Sequence, residues 1–414
     1  MPNNSTKNSI CVVIGASHAG VNLAFALRKE GWEGSILLFD KDSELPYHRP
    51  PLSKTYLQSE EVNLLKSAES YQKDNITLNL GVSVNSINRE DKTISLSDET
   101  IQPYDKLVLA TGARPIIPPI PGIETANNLY PLRTAADVTN IRKAFQNSVN
   151  RRVVIIGGGY IGLETAASIK KLGGTVTVLE RESRILARVT APEMSDFFMK
   201  LHKENGVDML TDKNVISIDV QDGENTVNCA DGSFFIADII IVGVGIRINA
   251  ELAKEAQLVV ENGILVDETA CTNDKDIYAI GDCTFHKNPH YKRFIRLESV
   301  QNAVDQAKIA AAAICGKNPV YNSIPWFWSD QFDVKLQMVG LSEGYNQLYI
   351  RKEESETKKT SIWYFKDDVL LAVDAINNPK AFVLGTKFIK DGSKIDTFKL
   401  VDASIPFKPA ELLL

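Results

Sequence analysis

Short, continuous apolar runs recur along the chain, and several of them lead directly into glycine-rich turns. The clearest are residues 10–14 and 152–156, each followed by a second apolar run, at 35–39 and 175–179 respectively. Uninterrupted runs of this length are typical of strands buried on both faces of a parallel sheet. The pattern therefore predicts two β-α-β units, separated by about 140 residues, as an internal symmetry of the chain.

The first β-α-β unit carries an altered glycine fingerprint. Residues 15–20 read Gly-Ala-Ser-His-Ala-Gly, which is G-x-G-x-x-G with Ser17 in place of the middle glycine. Serine is small enough to let the backbone approach a phosphate closely. Asp40 ends the second strand, about 20 residues past Gly20, where an acid can bind a ribose. Such a glycine motif alone can be a tight packing turn, but the complete order of strand, turn, helix, strand and acid favours nucleotide binding.

The second unit carries the complete fingerprint. Gly157, Gly159 and Gly162 form G-x-G-x-x-G where the strand turns into a helix, so that backbone N–H groups at the helix N-terminus can meet a pyrophosphate. Glu180 ends the next strand, and an acid there can bind a free ribose 2′-hydroxyl and repels a 2′-phosphate. We interpret this unit as an NADH site, so the chain is expected to bring two dinucleotides together.

Composition excludes several other classes of protein. At 414 residues with 44% apolar content, the chain is too long for one compact core and should divide into two or three domains. The net charge of −6 gives no support for nucleic-acid binding. No apolar run approaches the roughly 20 residues of a membrane-spanning helix. Residues 1–9 are polar and do not resemble a signal peptide, so we expect a cytoplasmic protein without a membrane or nucleic-acid partner.

The cysteines and histidines offer no strong metal or redox motif. The five cysteines are widely scattered, and none forms the closely spaced pair of a redox-active disulfide. The spacing of Cys283, His286 and His290 could suit a metal. However, no second Cys/His pair lies nearby, and the surrounding Lys, Asn and Pro residues indicate a surface loop. We therefore predict no metal site.

The remaining segments complete the predicted architecture. Prolines stiffen the loop at 46–54, and helices are expected at 134–147, 191–204 and 298–315. From Pro325 the composition changes to aromatic and strand-like segments, at 335–339, 347–351, 361–365 and 369–375, which predicts a third, α+β domain. The charged run at 352–359 is expected to be a solvated hairpin turn.

Five short segments carry a resemblance to a known family. They are Pro-Pro-Leu-Ser-Lys at 50–54, Ala-Thr-Gly at 110–112, Gly-Asp at 281–282, Arg-Leu-Glu-Ser-Val-Gln-Asn at 296–302 and Pro-Trp-Phe-Trp-Ser-Asp-Gln at 325–331. With the two fingerprints, they make nearly the whole chain resemble the NADH-dependent ferredoxin reductases that serve bacterial oxygenases, flavoproteins of the glutathione-reductase structural type. The implied α/β fold has two Rossmann-like domains, an FAD-binding one at 1–116 and 247–324 and an NADH-binding one at 117–246, and a C-terminal α+β domain at 325–414.

The resemblance implies an FAD site built mainly on the first unit. Asp40, often a longer Glu in similar proteins, would lie at the ribose. Arg133 and Asp282 would bind the pyrophosphate and ribityl part, and Val300, at a helix start, would face the flavin ring. The implied FAD contacts are Gly15, Ser17, His18, Ala19, Gly20, Asp40, Arg49, Lys54, Val84, Ala110, Thr111, Gly112, Arg133, Asp282, Val300 and Trp328.

The resemblance also implies an NADH site on the second unit. After Gly245 the family often has Pro-Asn, whereas this chain has Ile248-Asn249. The implied NADH contacts are Gly157, Gly158, Gly159, Tyr160, Ile161, Gly162, Glu180, Arg188 and Gly243.

Three residues are implied at the reacting centre. Lys54 resembles the residue beside flavin N5, Glu164 its ion-pair partner, and Trp328 a residue that packs against the isoalloxazine ring. Nicotinamide would pass a hydride to the flavin, and the protein would supply position and electrostatics. Because no dithiol is available, the flavin should release electrons one at a time, to a [2Fe-2S] ferredoxin or, nearly as well, to a rubredoxin.

Two other functions remain open at this point. One is a reductase for a small radical such as monodehydroascorbate, and the other is an NADH-sensing flavoprotein of the apoptosis-inducing-factor type. The segment at 325–331 favours the ferredoxin interpretation. No cysteine lies in the 46–54 loop, which disfavours a peroxidase or oxidase.

Overall fold

The computed structural model describes residues 6–353 and 358–414. The chain forms two compact units, each assembled from separate segments. The first unit comprises Met1–His48, Asn63–Arg114 and Arg247–Pro325, and the second comprises Arg49–Val62, Pro115–Ile246 and Trp326–Leu414.

The strands, in chain order, are β1 Ile10–Ile14, β2 Ser35–Asp40, β3 Ile76–Leu80, β4 Val84–Asn88, β5 Thr93–Leu96, β6 Ile101–Pro103, β7 Lys106–Leu109, β8 Ala113–Pro115, β9 Leu129–Pro131, β10 Arg152–Ile156, β11 Thr175–Leu179, β12 Asp208–Leu210, β13 Val215–Gln221, β14 Glu224–Cys229, β15 Phe234–Ala237, β16 Ile239–Val242, β17 Ile246–Ile248, β18 Ile264–Val266, β19 Ile277–Ala279, β20 Thr284–Asn288, β21 Arg293–Ile295, β22 Trp326–Gln331, β23 Val334–Gly340, β24 Gln347–Lys352, β25 Thr360–Lys366 and β26 Val369–Ile376. The α-helices are α1 His18–Glu30, α2 Thr55–Gln58, α3 Ala68–Lys73, α4 Ala135–Asn147, α5 Tyr160–Lys171, α6 Pro192–Glu204, α7 Glu251–Glu255, α8 Val300–Ile314, α9 Pro379–Asp391, α10 Thr397–Val401 and α11 Pro409–Leu412, and a 3₁₀-helix spans Pro50–Ser53.

A five-stranded parallel sheet forms the centre of the first unit, in the order β19-β7-β1-β2-β3. Helix α1 follows the first glycine turn and packs against α8 in a core that includes Leu23, Leu27 and Ala307. A parallel strand with both faces covered has no solvent-facing positions. This explains why β1 reads as an uninterrupted apolar run.

The second unit repeats this construction. Its parallel sheet has the order β12-β11-β10-β16-β9, so β10, β11 and β12 take the places that β1, β2 and β3 take in the first sheet. In both units the third strand is followed by a three-stranded antiparallel meander, β4-β5-β6 or β13-β14-β15. The predicted pair of β-α-β units is therefore confirmed, and the internal symmetry extends beyond the glycine turns.

The outer glycines of each fingerprint are required by packing. Gly157 has a φ of +112°, and a Cβ there would lie 2.5 Å from the carbonyl oxygen of Gly243. A Cβ at Gly162 would lie 2.2 Å from the carbonyl oxygen of Gly157. At Gly20 of the first unit, the corresponding distance to the carbonyl oxygen of Gly15 is 1.9 Å. The close approach of strand and helix thus leaves no room for a side chain at these positions.

The C-terminal part of the second unit confirms the predicted α+β domain. Its antiparallel sheet has the order β22-β23-β26-β25-β24, with helix α9 packed on β23 and β26. Trp363, Tyr364 and Phe388 are fully buried there. Strands β24 and β25 pair as a hairpin. The predicted turn at 352–359 falls between them, but residues 354–357 lie outside the described part of the chain.

The predicted surface loop around Cys283 and His286 is wrong. Residues 284–288 form β20, the middle strand of the sheet β18-β20-β21, and both Cys283 and His286 are buried. The polar residues alternate along the strand, because Lys287 faces solvent while Thr284 and Asn288 face inward. Within the described ranges, no group of three His, Cys, Asp or Glu side chains could hold a metal ion.

Two predicted helices begin slightly later than expected, because polar residues cap them. Thr134 and Asp137 form a reciprocal capping box at the start of α4. The Ser299 hydroxyl accepts a bond from the backbone N–H of Asn302, so α8 begins at Val300. Among the helices described, none is long and apolar enough to cross a membrane.

The crowding at Gly162 predicts a large difference between two similar substitutions. Gly162→Ala would drive a Cβ against the Gly157 carbonyl and should lower the free energy of unfolding by about 1–3 kcal/mol. Gly159→Ala is the matched control in the same turn, because a Cβ there meets nothing within 4 Å. It should cost less than about 1 kcal/mol. Equal losses of stability in denaturant unfolding would contradict this explanation of the fingerprint.

Candidate functional site

In both units the acid at the end of the second strand binds the glycine turn. The Asp40 carboxylate accepts a hydrogen bond from the backbone N–H of Ala16 at 2.6 Å, and Glu180 accepts one from Gly158 at 2.6 Å. The second Glu180 oxygen accepts from the backbone N–H of Glu182 at 2.8 Å. The structure therefore brings each predicted acid to its fingerprint, where it holds the turn in shape.

The second glycine turn leaves room for a phosphate. Three of its glycines are crowded by protein atoms, but Gly159 is open and stands immediately before α5. Packing within the protein therefore does not require a glycine at position 159. A helix N-terminus with free space beside a glycine is the arrangement that accommodates a pyrophosphate, so the residues present fit a dinucleotide.

Arg188 and Gly243 lie at the same end of the second parallel sheet as this turn. The space beside Gly157 is closed by Gly243, and a Cβ at Gly245 would come within 3.7 Å of the Arg188 guanidinium. These residues follow β10, β11 and β16, whose carboxyl ends share one edge of the sheet. Arg188, Gly243 and the glycine turn, which are among the predicted NADH contacts, thus lie at one edge of this sheet.

Arg184 gives the loop before Arg188 a fixed shape. Its guanidinium donates to the carbonyl oxygens of Thr190 at 2.9 Å and Ala187 at 2.7 Å, and to the Ser195 hydroxyl at 2.8 Å. A guanidinium that satisfies three internal acceptors is committed to the loop and is not available to a ribose phosphate. This role of Arg184 could not be predicted from sequence, because the bonds depend on how the loop folds back on α6.

Asp374 holds the far end of that loop. Its buried carboxyl accepts bonds from the hydroxyls of Tyr364 at 2.6 Å and Thr190 at 2.7 Å. Burial raises the pKa of Asp374 to about 6, although the two hydroxyls act in the opposite direction. Strand β26 of the C-terminal sheet is thereby connected to the loop that carries Arg188.

A buried ion pair joins Lys54 to Glu164. The Lys54 Nζ atom lies 2.7 Å from Glu164 Oε2, and the exposed fractions of the two side chains are 18% and 1%. Lys54 follows the 3₁₀-helix, and Glu164 lies on the second turn of α5. The Ser53 hydroxyl donates to Oε2 at 2.5 Å and the Ser329 hydroxyl to Oε1 at 2.7 Å. The predicted ion pair is present in the structure. Two serines that sequence analysis did not single out, Ser53 and Ser329, donate hydrogen bonds to its carboxylate.

Aromatic residues lie near the same helix. Trp328 is part of an aromatic row on β22, with its ring centroid 5.5 Å from that of Trp326 and 6.3 Å from that of Phe327. The Tyr160 ring lies 5.2 Å from the Phe327 ring, and its hydroxyl is 2.9 Å from the Met338 sulfur. Burial raises the pKa of Tyr160 well above its ordinary value, so this phenol stays protonated.

The predicted FAD contacts divide between the two units. Those in the first unit gather around the glycine turn and α8: a Cβ at Gly15 would meet the Ala110 carbonyl, Thr111 donates to the Asn249 carbonyl at 2.6 Å, and Val300 begins α8. In the second unit, Arg49 donates to the Arg133 carbonyl at 2.7 Å. The remaining first-unit positions are Ser17 at the cap of α1, His18, Ala19 and Gly20 within α1, Val84 at the start of β4, Gly112 after Thr111, and Asp282 after Gly281.

The turn that carries Asp282 is fixed from α8. The backbone N–H of Gly281 donates to the Gln306 side chain at 2.7 Å, and Gly281 has a φ of +82°. The same Gln306 oxygen accepts from the Thr284 hydroxyl at 3.0 Å. Sequence reasoning missed Gln306, although its place on an Ala-rich helix, where a buried polar residue needs a partner, was a usable signal.

Comparison with known proteins gives consistent matches over nearly the whole chain. Residues 10–307 match the family described as pyridine nucleotide-disulphide oxidoreductase, and residues 326–410 match the one described as reductase C-terminal. Putidaredoxin reductase of Pseudomonas putida is 42% identical over 409 residues, covering 97% of this chain and 96% of that protein. Rubredoxin-NAD(+) reductase of Ectopseudomonas oleovorans is 38% identical over 374 residues, covering 89% and 96%. The solved covalent complex of putidaredoxin reductase with putidaredoxin matches with a TM-score of 0.92 at 41% identity, covering 97% of both chains.

The buried Asp374 carboxyl predicts a pH-dependent stability. Its pKa in the folded protein, about 6, lies above the ordinary 3.8, so the folded state holds a proton that the unfolded state has lost. The resulting stabilisation is complete below about pH 4 and disappears as the pH rises through 6. Between pH 4 and pH 7.5 the wild type should therefore lose up to about 3 kcal/mol of unfolding free energy that Asp374→Asn, which cannot titrate, does not lose.

Denaturant unfolding of both proteins across this range measures the difference directly. His202 and His286, whose pKa values burial lowers to about 4, titrate in both proteins and cancel. A difference that does not change with pH would show that Asp374 does not titrate in this way.

Proposed function

The chain belongs to the pyridine nucleotide-disulphide oxidoreductase family, and from that membership we propose that it is an NADH-dependent ferredoxin reductase. It passes electrons from NADH through FAD, one at a time, to a [2Fe-2S] ferredoxin that feeds an oxygenase. The observation that carries this proposal is the buried Lys54–Glu164 pair in a chain whose five cysteines are all free thiols. The ion pair supplies an oriented positive charge, and the free thiols offer no dithiol through which electrons could leave.

The second unit is the proposed NADH site. The open N-terminus of α5 beside Gly159 suits the pyrophosphate. Glu180 disfavours a 2′-phosphate by charge repulsion. Of the two nearby arginines that could attract one, Arg184 is committed to its own loop and Arg181 pairs with Glu182 at 2.9 Å. Arg188, at the same edge of the sheet, is the proposed contact for the rest of the dinucleotide. The support for NADH over NADPH is thus electrostatic.

The first unit is the proposed site for the ADP half of FAD. The Asp40 carboxylate lies at the glycine turn, as the ribose-binding role requires. Gln306 fixes the turn that carries Asp282, the proposed contact of the ribityl part, and the N-terminus of α8 at Val300 would offer a positive dipole end to the flavin. Arg49, Arg133 and Trp328 are proposed as further FAD contacts on the resemblance.

Lys54 and Glu164 are the proposed electrostatic part of the reaction. FAD, when bound, accepts a hydride from NADH. Lys54 places an ammonium group where negative charge develops, and Glu164 fixes its orientation and limits its excess charge. The 3₁₀-helix anchors Lys54 from one side, because its backbone N–H donates to the Pro51 carbonyl at 3.0 Å. No side chain is needed as a nucleophile.

A rubredoxin is the second candidate acceptor. A rubredoxin reductase is among the similar proteins, at 38% identity, and a rubredoxin also accepts one electron at a time. The ferredoxin and rubredoxin reductases among the similar proteins support a protein acceptor over monodehydroascorbate. An NADH-sensing flavoprotein would differ from a reductase by slow turnover with every acceptor.

We place the protein in the cytoplasm. All five cysteines are free thiols, and three of them are buried. A chain with this many unpaired cysteines suits a reducing compartment better than an oxidising one.

Anaerobic stopped-flow mixing tests the proposed function. NADH should reduce the bound flavin rapidly, and NADPH at least about tenfold more slowly, because a 2′-phosphate would meet the Glu180 carboxylate. The reduced protein is then mixed with a [2Fe-2S] ferredoxin and with a rubredoxin. Rapid reduction of either one supports an electron-transfer reductase and identifies the preferred acceptor class.

Two results would contradict the proposal. Rapid flavin reduction without turnover of any protein acceptor would favour the NADH sensor. Purified protein without flavin, and without affinity for added FAD, would remove the basis of the assignment.

A further inference from the structure

Glu164 is connected to a longer chain of buried polar groups. Its Oε1 atom accepts from the Ser329 hydroxyl, and Ser329 Oγ in turn accepts from Gln331 Nε2 at 3.1 Å. The Gln331 Oε1 atom lies 2.8 Å from His202 Nε2. All four residues are at most 2% exposed. This series of hydrogen bonds runs from helix α6 through strand β22 to helix α5.

The protonation of His202 sets the direction of these bonds. Burial lowers the pKa of His202 to about 4, so the imidazole is neutral at physiological pH. In the described residues its Nδ1 atom is buried and has no hydrogen-bond partner. A bare nitrogen is cheaper to bury there than an N–H group. The proton is therefore assigned to Nε2, which donates to the Gln331 oxygen.

Every donor in the chain then points towards the same carboxylate. His202 donates to Gln331, the Gln331 amide donates to Ser329, and the Ser329 hydroxyl donates to Glu164. Bonds aligned head to tail polarise one another, and a low local dielectric strengthens their effect on a charge. Glu164 thus accepts the last bond of this aligned series on Oε1, from Ser329. Its Oε2 atom accepts bonds from Lys54 and Ser53.

We propose that Ser329, Gln331 and His202 are positioning residues that set the charge Lys54 presents to the flavin. They act through Glu164 and touch neither the flavin nor the nicotinamide. By this means the C-terminal sheet, through β22, takes part in the electrostatics of hydride transfer. The inference rests on the proposed function, because it assigns these residues a role at the same site.

The physical effect follows from how the Glu164 charge is shared. With Ser329 in place, part of the carboxylate charge is balanced by the aligned hydroxyl, amide and imidazole dipoles. Without it, Oε1 loses its hydrogen-bond donor, and the uncompensated negative charge cancels more of the Lys54 field. An anionic reduced flavin is then less stabilised. The expected consequences are a lower flavin reduction potential and slower reduction by NADH.

The test compares Ser329→Ala with Ser361→Ala in the flavin-bound protein. Ser361 is a matched control, because it is fully buried in the same sheet and its hydroxyl accepts a bond from Trp363 instead of serving Glu164. Ser329→Ala should make two-electron reduction of the flavin about tenfold less favourable, which is about 30 mV in midpoint potential. Ser361→Ala should leave the potential unchanged.

Gln331→Met extends the test beyond direct contact with Glu164. It removes the amide while keeping similar length, so it should lower the potential in the same direction by a smaller amount, about threefold in the equilibrium. It also keeps the inference testable should Ser329→Ala fail to fold. A thermal unfolding scan of each variant separates the change in flavin potential from a loss of stability. Some loss of stability is expected for Ser329→Ala, Gln331→Met and Ser361→Ala alike, because each removes a buried hydrogen bond.

The outcomes are distinct. Potentials for Ser329→Ala and Gln331→Met equal to that of Ser361→Ala would overturn the positioning role, even if all variants lose stability. A flavin potential that is lowered in Ser329→Ala and Gln331→Met but not in Ser361→Ala supports the positioning role. If NADH does not reduce the flavin of the wild-type protein at all, the proposed function fails, and this result is seen before any variant is compared.

Discussion

The need to satisfy one buried carboxylate organises the second unit. Glu164 is almost fully buried on α5, and a charge there is tolerated only when it is paired and hydrogen-bonded. Lys54 and Ser53 come from the loop at 46–54, and Ser329 from the first strand of the C-terminal sheet. Removing one partner of a buried pair typically costs about 3–5 kcal/mol. Two distant segments of the chain are therefore held to a carboxylate on a third, and all three segments belong to the second unit.

The two β-α-β units show how a single construction is used twice. In each, the acid that is expected to meet a ribose also binds the backbone of the glycine turn. The turn is thus preorganised by the protein, and less reordering remains for ligand binding. The second unit adds Arg184 and Asp374, which hold the loop carrying Arg188 from both ends. The C-terminal sheet consequently contacts the loop that carries Arg188 through Asp374, and the Lys54–Glu164 pair through Ser329.

Sequence reasoning identified the features that local signals determine. The parallel strands, the glycine turns and the acids at Asp40 and Glu180 follow from short patterns, and the Lys54–Glu164 pair followed from resemblance. The surrounding hydrogen bonds could not be predicted, because Ser329 is 165 positions from Glu164 and only the tertiary fold brings them together. The surface loop predicted around Cys283 and His286 is instead the buried strand β20, because a strand with alternating polar residues has the same polar composition as a loop.

A double-mutant cycle on Lys54 and Glu164 tests the central claim most directly. The rate of flavin reduction by NADH is measured for the wild type, Lys54→Met, Glu164→Gln and the double variant. If Glu164 acts through Lys54, the double variant should be no slower than Lys54→Met alone, so the two effects are strongly non-additive. Effects that simply multiply would show that the two side chains act independently and would contradict the account.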